Sequence, residues 1–299
     1  MQATLIYNGN SGGASKASVD NMQELLGEQG YSPVYKATSS EEDLDDALAD
    51  VRGLVVAAGG DGTTRAVATR LLGRDAALAL IPLGTANNIA RTLGVEGSPE
   101  TIIKGLSSPL QRPFDIGRVR SPFGESYFLE ALGCGLFADV LYDYNPEQGK
   151  SVLRAFDTVK EVLFDYDPRH WTVKIDGEDM SGSYIGLEIL NTKATGPRLE
   201  LSPDASPSDG LLDVVCVCPP ENVTLLHYLG GIISGTFDKL DNVDIVQARE
   251  LEVSWNGSPF HVDAELLPKP GEERPELSGT GSICVDVLPG AIELWLPGG

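Results

Sequence analysis

Val55-Val56-Ala57-Ala58-Gly59-Gly60-Asp61-Gly62-Thr63-Thr64 is the stretch that decides the fold. An apolar, β-branched run ends in two glycines, an aspartate, a third glycine and a threonine, and a helical pattern follows. Three glycines around one acid give a turn that reaches φ > 0 and brings bare backbone N–H groups against a ligand. The helix that follows opens with unpaired N–H groups of its own, which favour an anion. Asp61 would repel a naked phosphate, so the partner it suits is a metal ion carried by one. Residues 59–63 therefore have the makings of a nucleotide–metal cradle. The simpler alternative is a tight strand-to-helix turn capped by Asp61 or Thr63.

A second loop of the same kind follows one unit later. The apolar run 78–83 leads into Pro82-Leu83-Gly84-Thr85-Ala86-Asn87-Asn88, which opens a helix expected over 89–93. Two polar, glycine-bearing loops then lie at the carboxyl ends of successive strands, where open α/β sheets bind ligands. Upstream, the pattern predicts a strand over 3–8, a loop Gly9-Asn10-Ser11-Gly12-Gly13, a helix over 14–28, a strand over 31–37 and an acidic-faced helix over 41–50. With a strand at 54–58, this alternation implies βαβ units and a largely parallel sheet.

The rhythm changes near Pro113. From Phe114 onward strands dominate, with hairpin signals at Asp176-Gly177 and Asn256-Gly257. Two helical stretches interrupt them. The one at 151–164 is mixed and suits a surface helix. The one at 222–235 carries Leu225, Leu226, Leu229, Ile232 and Ile233 and suits a buried helix or the wall of an apolar cleft. Residues 267–281 are rich in Pro, Gly and Glu and predict a loop, and 291–296 alternate like a strand returning to the first domain. The expected class is α/β plus mainly β. An open parallel α/β domain over 1–117, completed by a C-terminal strand at 290–299, precedes an antiparallel β-rich domain over 118–289.

At 299 residues the chain accommodates two domains, and its 41% hydrophobic content is that of a globular protein. No uninterrupted apolar run approaches the ~18 residues of a membrane span, and a strand pattern at the start leaves no expected signal peptide. Cys134, Cys216, Cys218 and Cys284 show no metal-ligand spacing and predict buried thiols in a reducing cytoplasm. The net charge of −22 disfavours nucleic acid as a partner, and also adsorption to an anionic membrane by charge alone. His170, His227 and His261 form neither a triad nor a paired metal motif, so each is expected at the surface or satisfied in the core.

With both loops placed, the chain resembles the diacylglycerol kinase catalytic family, which includes bacterial lipid kinases and sphingosine kinases. Asn8-Gly9-Asn10-Ser11-Gly12 resembles the family's first loop, with Gly9 in place of the usual proline. Gly59-Gly60-Asp61-Gly62-Thr63 and Pro82-Leu83-Gly84-Thr85-Ala86-Asn87 match the next two loops. Phe114-Asp115-Ile116-Gly117 resembles the strand entering the second domain. Pro203-Asp204-Ala205 with Asp209-Gly210-Leu211-Leu212-Asp213-Val214 resembles a further motif. Val262-Asp263-Ala264-Glu265 sits where the family usually has Asp-Gly-Glu. The signature loop alone is shared with NAD kinases and phosphofructokinases; the ordered set of six is the specific feature. The resemblance implies a nucleotide-binding α/β domain followed by a β-sandwich-like domain with the site in the cleft between them. It further implies ATP with Mg²⁺, and transfer of the γ-phosphoryl group to a lipid hydroxyl.

Phosphoryl transfer mainly requires positioning and neutralised phosphate charge. Asp61 is the candidate to hold Mg²⁺, directly or through water. Gly59, Gly60, Gly62 and Thr63 would supply N–H groups and a hydroxyl to phosphates. Gly84, Thr85 and Asn87 would complete the cradle, and Asn8, Ser11 and Gly12 would add to it. Thr38 resembles a nucleotide contact of bacterial members; the alternative is a helix cap before Glu41. The acceptor hydroxyl needs a base. Asp263 and Glu265, at i and i+2, would point to one side of a single strand, and paired carboxylates raise one pKa. By resemblance one of them is the base, with Glu265 the first choice. Asp176-Gly177-Glu178 spells the family motif outright, but it lies between two strand patterns and precedes Asp209-Gly210, so it is assigned to a turn. Asp209 resembles an acid that binds a second, structural Mg²⁺ with backbone carbonyls near Ser206 and Leu211; a turn aspartate is the alternative. Glu130 falls where many relatives carry asparagine.

The leading expectation is thus an ATP-dependent lipid kinase with a diacylglycerol-like acceptor. It would be cytoplasmic and meet its lipid at a membrane surface, with peripheral docking and homodimerisation left open. The competing expectations are a kinase of a small soluble alcohol or of NAD, and a nucleotide-binding regulatory protein that has lost catalysis.

Overall fold

The computed structural model describes residues 1–8, 16–38, 41–143, 166–219, 230–232, 234–255, 257–269 and 281–298. The chain divides into two compact units, Met1–Ile116 with Pro289–Gly299, and Gly117–Leu288.

The first unit alternates strand and helix: β1 (Gln2–Asn8), α1 (Lys16–Glu28), β2 (Ser32–Thr38), α2 (Glu41–Leu48), β3 (Gly53–Gly59), α3 (Asp61–Arg70), β4 (Ala76–Pro82), α4 (Asn88–Thr92) and α5 (Pro99–Gly105). The strands pair in parallel in the order β2-β1-β3-β4, and Glu293 and Leu294 extend the sheet beside β4. β3 and β4 are apolar and buried along almost their whole length, as parallel strands covered on both faces must be. The order places β1 between β2 and β3. The chain leaves β1 for one side and returns on the other, which makes the carboxyl ends of β1 and β3 the topological switch point. The expected rhythm omits α5, although its start signals are present. Ser98 caps it by accepting the Thr101 N–H, and Pro99 opens it.

The second unit is almost all strand. It takes in the later part of β5 (Leu110–Ser121), then β6 (Gly124–Phe128), β7 (Ala131–Gly135), α6 (Leu136–Asp143), β8 (Arg169–Trp171), β9 (Val173–Ile175), β10 (Glu178–Asp179), β11 (Gly182–Tyr184) and β12 (Gly186–Leu190). After the short pair β13 (Ala194–Thr195) and β14 (Leu199–Glu200) come β15 (Leu212–Val217), β16 (Val243–Ala248), β17 (Glu250–Trp255), β18 (Phe260–Val262), β19 (Glu265–Leu267) and β20 (Gly281–Leu296). One antiparallel sheet runs β16-β15-β12-β7-β18-β19. In a second, β9 and β20 flank β17. Alternate residues of the two sheets share one core: Leu132, Leu187, Ile189, Val214 and Phe260 from the first meet Val173, Val253, Trp255, Ile283 and Val285 from the second. That is sandwich packing. The opposite face of the six-stranded sheet carries Leu190, Val215 and Val217 into a smaller core with Leu201 and Phe237. The architecture is the α/β plus mainly β class expected.

α6 is a helix that the pattern analysis omits. The helix expected at 151–164 lies outside the described residues, as do Asn256, most of the loop at 267–281, and all but the end of the helix at 222–235, where 230–232 are helical. The returning strand at 291–296 is the end of the sixteen-residue β20. It passes through Gly290 at φ 57, whose N–H donates to Asp115 Oδ1 at 2.7 Å. Only two of the four cysteines are buried. Burial pushes the Cys134 and Cys216 thiols up to about 12, whereas Cys218 and Cys284 are half-buried.

Candidate active site

The glycine loops at the ends of β3 and β4 meet. A Cβ at Gly84 would lie 2.6 Å from Gly60 Cα, so the two backbones touch at a distance that only paired glycines permit. Leu83 donates its N–H to Gly59 O at 2.8 Å and fixes the contact. Thr63 folds back over Gly59, its Cβ only 2.5 Å from where a Gly59 Cβ would stand. At Gly62 an added Cβ would meet no atom within 4 Å. Packing does not require glycine there, and its absent side chain leaves the first turn of α3 bare.

The cap of α3 is Gly60, with extended backbone and no side-chain hydrogen bond. Neither Asp61 nor Thr63 is the cap. Asp61 occupies the first helical position, and its Oδ1 accepts the Ile89 N–H at 3.2 Å, which ties α3 to α4. Burial pushes the Asp61 carboxyl above the usual carboxylate range, against the lowering effect of the backbone N–H groups at Ile89, Asn88 and Asn87. A cation beside it would relieve that cost. One carboxylate among N–H groups therefore fits an Mg²⁺ carried in on phosphates, which takes one or two carboxylates and keeps waters. Asn87 sits at φ 52, in the left-handed region. Its side chain closes its own loop, accepting the Gly84 N–H at 2.9 Å and donating to Gly84 O at 2.8 Å. Asn87 thereby shapes the loop that carries Gly84 and Thr85. Asn8 and Thr38 end the paired strands β1 and β2 at this same edge; Ser11 and Gly12 lie outside the described residues.

The acids of the second unit are arranged otherwise than expected. Asp263 and Glu265 do not share a strand. Val262 of β18 pairs with Glu265 of β19, so Asp263 and Ala264 form a two-residue hairpin turn. Both turn residues have positive φ, 48 and 63, the signature of a type I′ turn. The reason is tertiary. Asp263 Oδ2 accepts the Leu129 N–H at 2.8 Å, and Oδ1 accepts those of Glu130 and Ala131 at 2.8 and 3.0 Å. The Asp263 N–H donates to Ala131 O at 2.8 Å. Asp263 is an anchor, and Glu265, exposed at the start of β19, is the acid presented to solvent. Glu130 is buried, with its backbone held between Asp263 and the Asn191 N–H.

Asp176 is a turn residue, as assigned: Ile175 pairs with Glu178 across Asp176 and Gly177. Asp209 sits in a tight turn before β15, with its Oδ1 accepting the Leu211 N–H at 3.0 Å. Ser206 lies in the same loop, its hydroxyl 3.4 Å from that of Ser208. Nearby, burial above all, with Asp209 and Asp204 adding, pushes the Asp213 carboxyl up to about 6. Among the described residues no three His, Cys, Asp or Glu side chains gather as a metal site.

One buried pair carries no signal in the sequence. His261 Nε2 lies 3.0 Å from Glu188 Oε2, with both residues buried in the six-stranded sheet. No local signal points to a partner 73 residues away.

The family profile described as "Diacylglycerol kinase catalytic domain" matches residues 2–119, and that described as "YegS C-terminal NAD kinase beta sandwich-like domain" matches 151–296. A Pseudomonas fluorescens protein named "Probable lipid kinase YegS-like" is 31% identical over 81% of this chain and 83% of its own length. The chain belongs to the diacylglycerol kinase family. The family's "Diacylglycerol kinase" of Bacillus subtilis is 29% identical over 72% of this chain and 73% of its own. The crystal structure of a Bacillus anthracis diacylglycerol kinase shares the fold over 99% of this chain and 96% of that one, with a TM-score of 0.68 at 17% identity. Membership in this lipid kinase family makes the chain a phosphotransferase by class.

Proposed function

We propose that this protein is an ATP- and Mg²⁺-dependent lipid kinase that transfers the γ-phosphoryl group to the hydroxyl of a diacylglycerol-like lipid. The observation that carries the proposal is the half-buried Asp61 carboxylate between two touching glycine loops at the switch point of a parallel sheet. In this account the N–H groups of Gly59, Gly60, Gly62, Thr63 and Thr85 line the phosphates, and Asn87, which takes the Gly84 N–H, holds the second loop in shape. Asn8, Ser11, Gly12 and Thr38 contribute nucleotide contacts along the same edge. Asp61 holds Mg²⁺, which when bound neutralises charge on the transferring phosphoryl group. Glu265 accepts the proton of the lipid hydroxyl as that hydroxyl's oxygen bonds to the γ-phosphorus and the bond to the β,γ-bridging oxygen breaks. Asp263 positions the hairpin that carries Glu265. Asp209, with carbonyls of Ser206 and Leu211, would hold a second, structural Mg²⁺.

Among the described residues no helix is long and apolar enough to cross a membrane. In the proposed reading the lipid is met at a membrane surface. A second reading, phosphorylation of NAD or a small alcohol, is favoured by the NAD kinase-like description of the second domain. Incubation with γ-labelled ATP, Mg²⁺ and a panel of diacylglycerol, ceramide, sphingosine, phosphatidylglycerol and NAD, at low and high salt, separates the two. Label in diacylglycerol is the expected result. Label in NAD alone would overturn it.

A further inference from the structure

The bond between His261 and Glu188 crosses a strand. β7 lies between β12 and β18, and its Gly133 pairs with Glu188 on one side and with His261 on the other. The position a Gly133 Cβ would take is already filled by the Glu188 carboxylate and the His261 ring. The missing side chain is therefore what lets β12 reach β18 over the top of β7. Among the described residues His261 Nδ1 has no partner, so Glu188 is the ring's polar anchor there, with the Phe137 ring packed in a T-shaped arrangement at 5.0 Å between ring centres. Two residues further along the same strands, Asp263 meets the Leu129, Glu130 and Ala131 amides.

Burying such a pair costs desolvation, and apolar side chains of similar volume often hold a core at least as well. What a hydrogen-bonded pair adds is register, and a one-residue slip in a sheet sends every side chain to the other face. We propose that Glu188 and His261 are positioning residues, a strap over Gly133 that keeps the Asp263–Glu265 hairpin seated on the 129–131 amides. The catalytic consequence rests on the reading of Glu265 as the acceptor's base.

The test is the full-length double variant Glu188→Leu/His261→Leu, which removes the strap without leaving one buried polar partner. Amide hydrogen exchange and steady-state kinetics are measured on the same preparation. The expected result is exchange at Leu129, Glu130 and Ala131 faster by about tenfold or more, with Met180 on the opposite sheet unchanged. The kcat falls by about tenfold or more while the KM for ATP holds, because a small misplacement of a catalytic group is costly. Glu188→Gln alone, which keeps a hydrogen bond to His261, should leave both near their wild-type values. If the double variant does not fold, Gly133→Ala drives a methyl between the partners and should speed the same three amides. Wild-type exchange at those amides in a folded double variant, or in Gly133→Ala, overturns the strap. Exchange needs no turnover, so a wild-type protein that labels no lipid would count against the kinase reading and leave the strap to be decided by exchange.

Discussion

Two hairpins of the second unit, Asp176-Gly177-Glu178 and Asp263-Ala264-Glu265, are built on one plan and surrounded differently. Both turn aspartates have φ 48. Each donates its N–H to a carbonyl of a neighbouring strand, Glu250 O at 3.0 Å and Ala131 O at 2.8 Å. Each carboxylate accepts consecutive backbone N–H groups. Asp176 takes two, from Arg249 and Glu250, both at 2.9 Å, and its hairpin ends in the exposed two-residue strand β10. Asp263 takes three, and its hairpin grows from β18, which is buried along its whole length beside the Glu188–His261 pair. The letters of the motif make a turn in both places. The neighbouring strands decide which turn is held firmly enough to aim an acid.

The largest expected difference between them is catalytic. Glu265→Gln should lower kcat by about 10²- to 10⁴-fold, the contribution of a positioned general base, while Glu178→Gln turns over at the wild-type rate. A dead Glu178→Gln with an active Glu265→Gln would reverse the assignment. Stability should separate the aspartates next. Asp263→Ala removes three charge-assisted bonds and should cost about 3 kcal/mol in urea unfolding, against about 1 kcal/mol for Asp176→Ala at its exposed edge. Equal losses would break the comparison. The smallest effect concerns the second turn residue. Ala264 holds φ 63, where a side chain is strained, so Ala264→Gly should gain about 0.5 kcal/mol, whereas Gly177→Ala should lose about 1 kcal/mol.

The glycine loops of the first unit were legible in the sequence because their geometry is local. A β-branched run, a glycine turn and a helix start are contiguous at 55–64, and the second loop repeats the pattern. What contiguity did not show was the touching of Gly60 and Gly84, or the Asp61–Ile89 bond 28 residues apart. The hairpin at Asp176 was legible because Asp-Gly names its own turn. The one at Asp263 was not. Ala264 carries no turn signal, and the turn is anchored through Asp263 to amides more than 130 residues earlier in the chain. Without that anchor, Val262-Asp263-Ala264-Glu265 is an ordinary strand pattern, which sets the two acids on one face. The Glu188–His261 strap was hidden for the same reason: a histidine on an apolar strand does not announce its partner.

In the proposed kinase Asp61 serves phosphoryl transfer beyond the bond by which it ties α3 to α4. Burial disfavours its charge, so Asp61→Asn, which keeps an acceptor for Ile89, should melt no lower than wild type. Mg²⁺ with ATP should raise the melting temperature of the wild type only, through linkage. The most direct measurement is transfer of label from γ-labelled ATP to diacylglycerol by the two proteins side by side. Label with wild type and none with a stably folded Asp61→Asn is the predicted result. Undiminished transfer by Asp61→Asn would contradict the account.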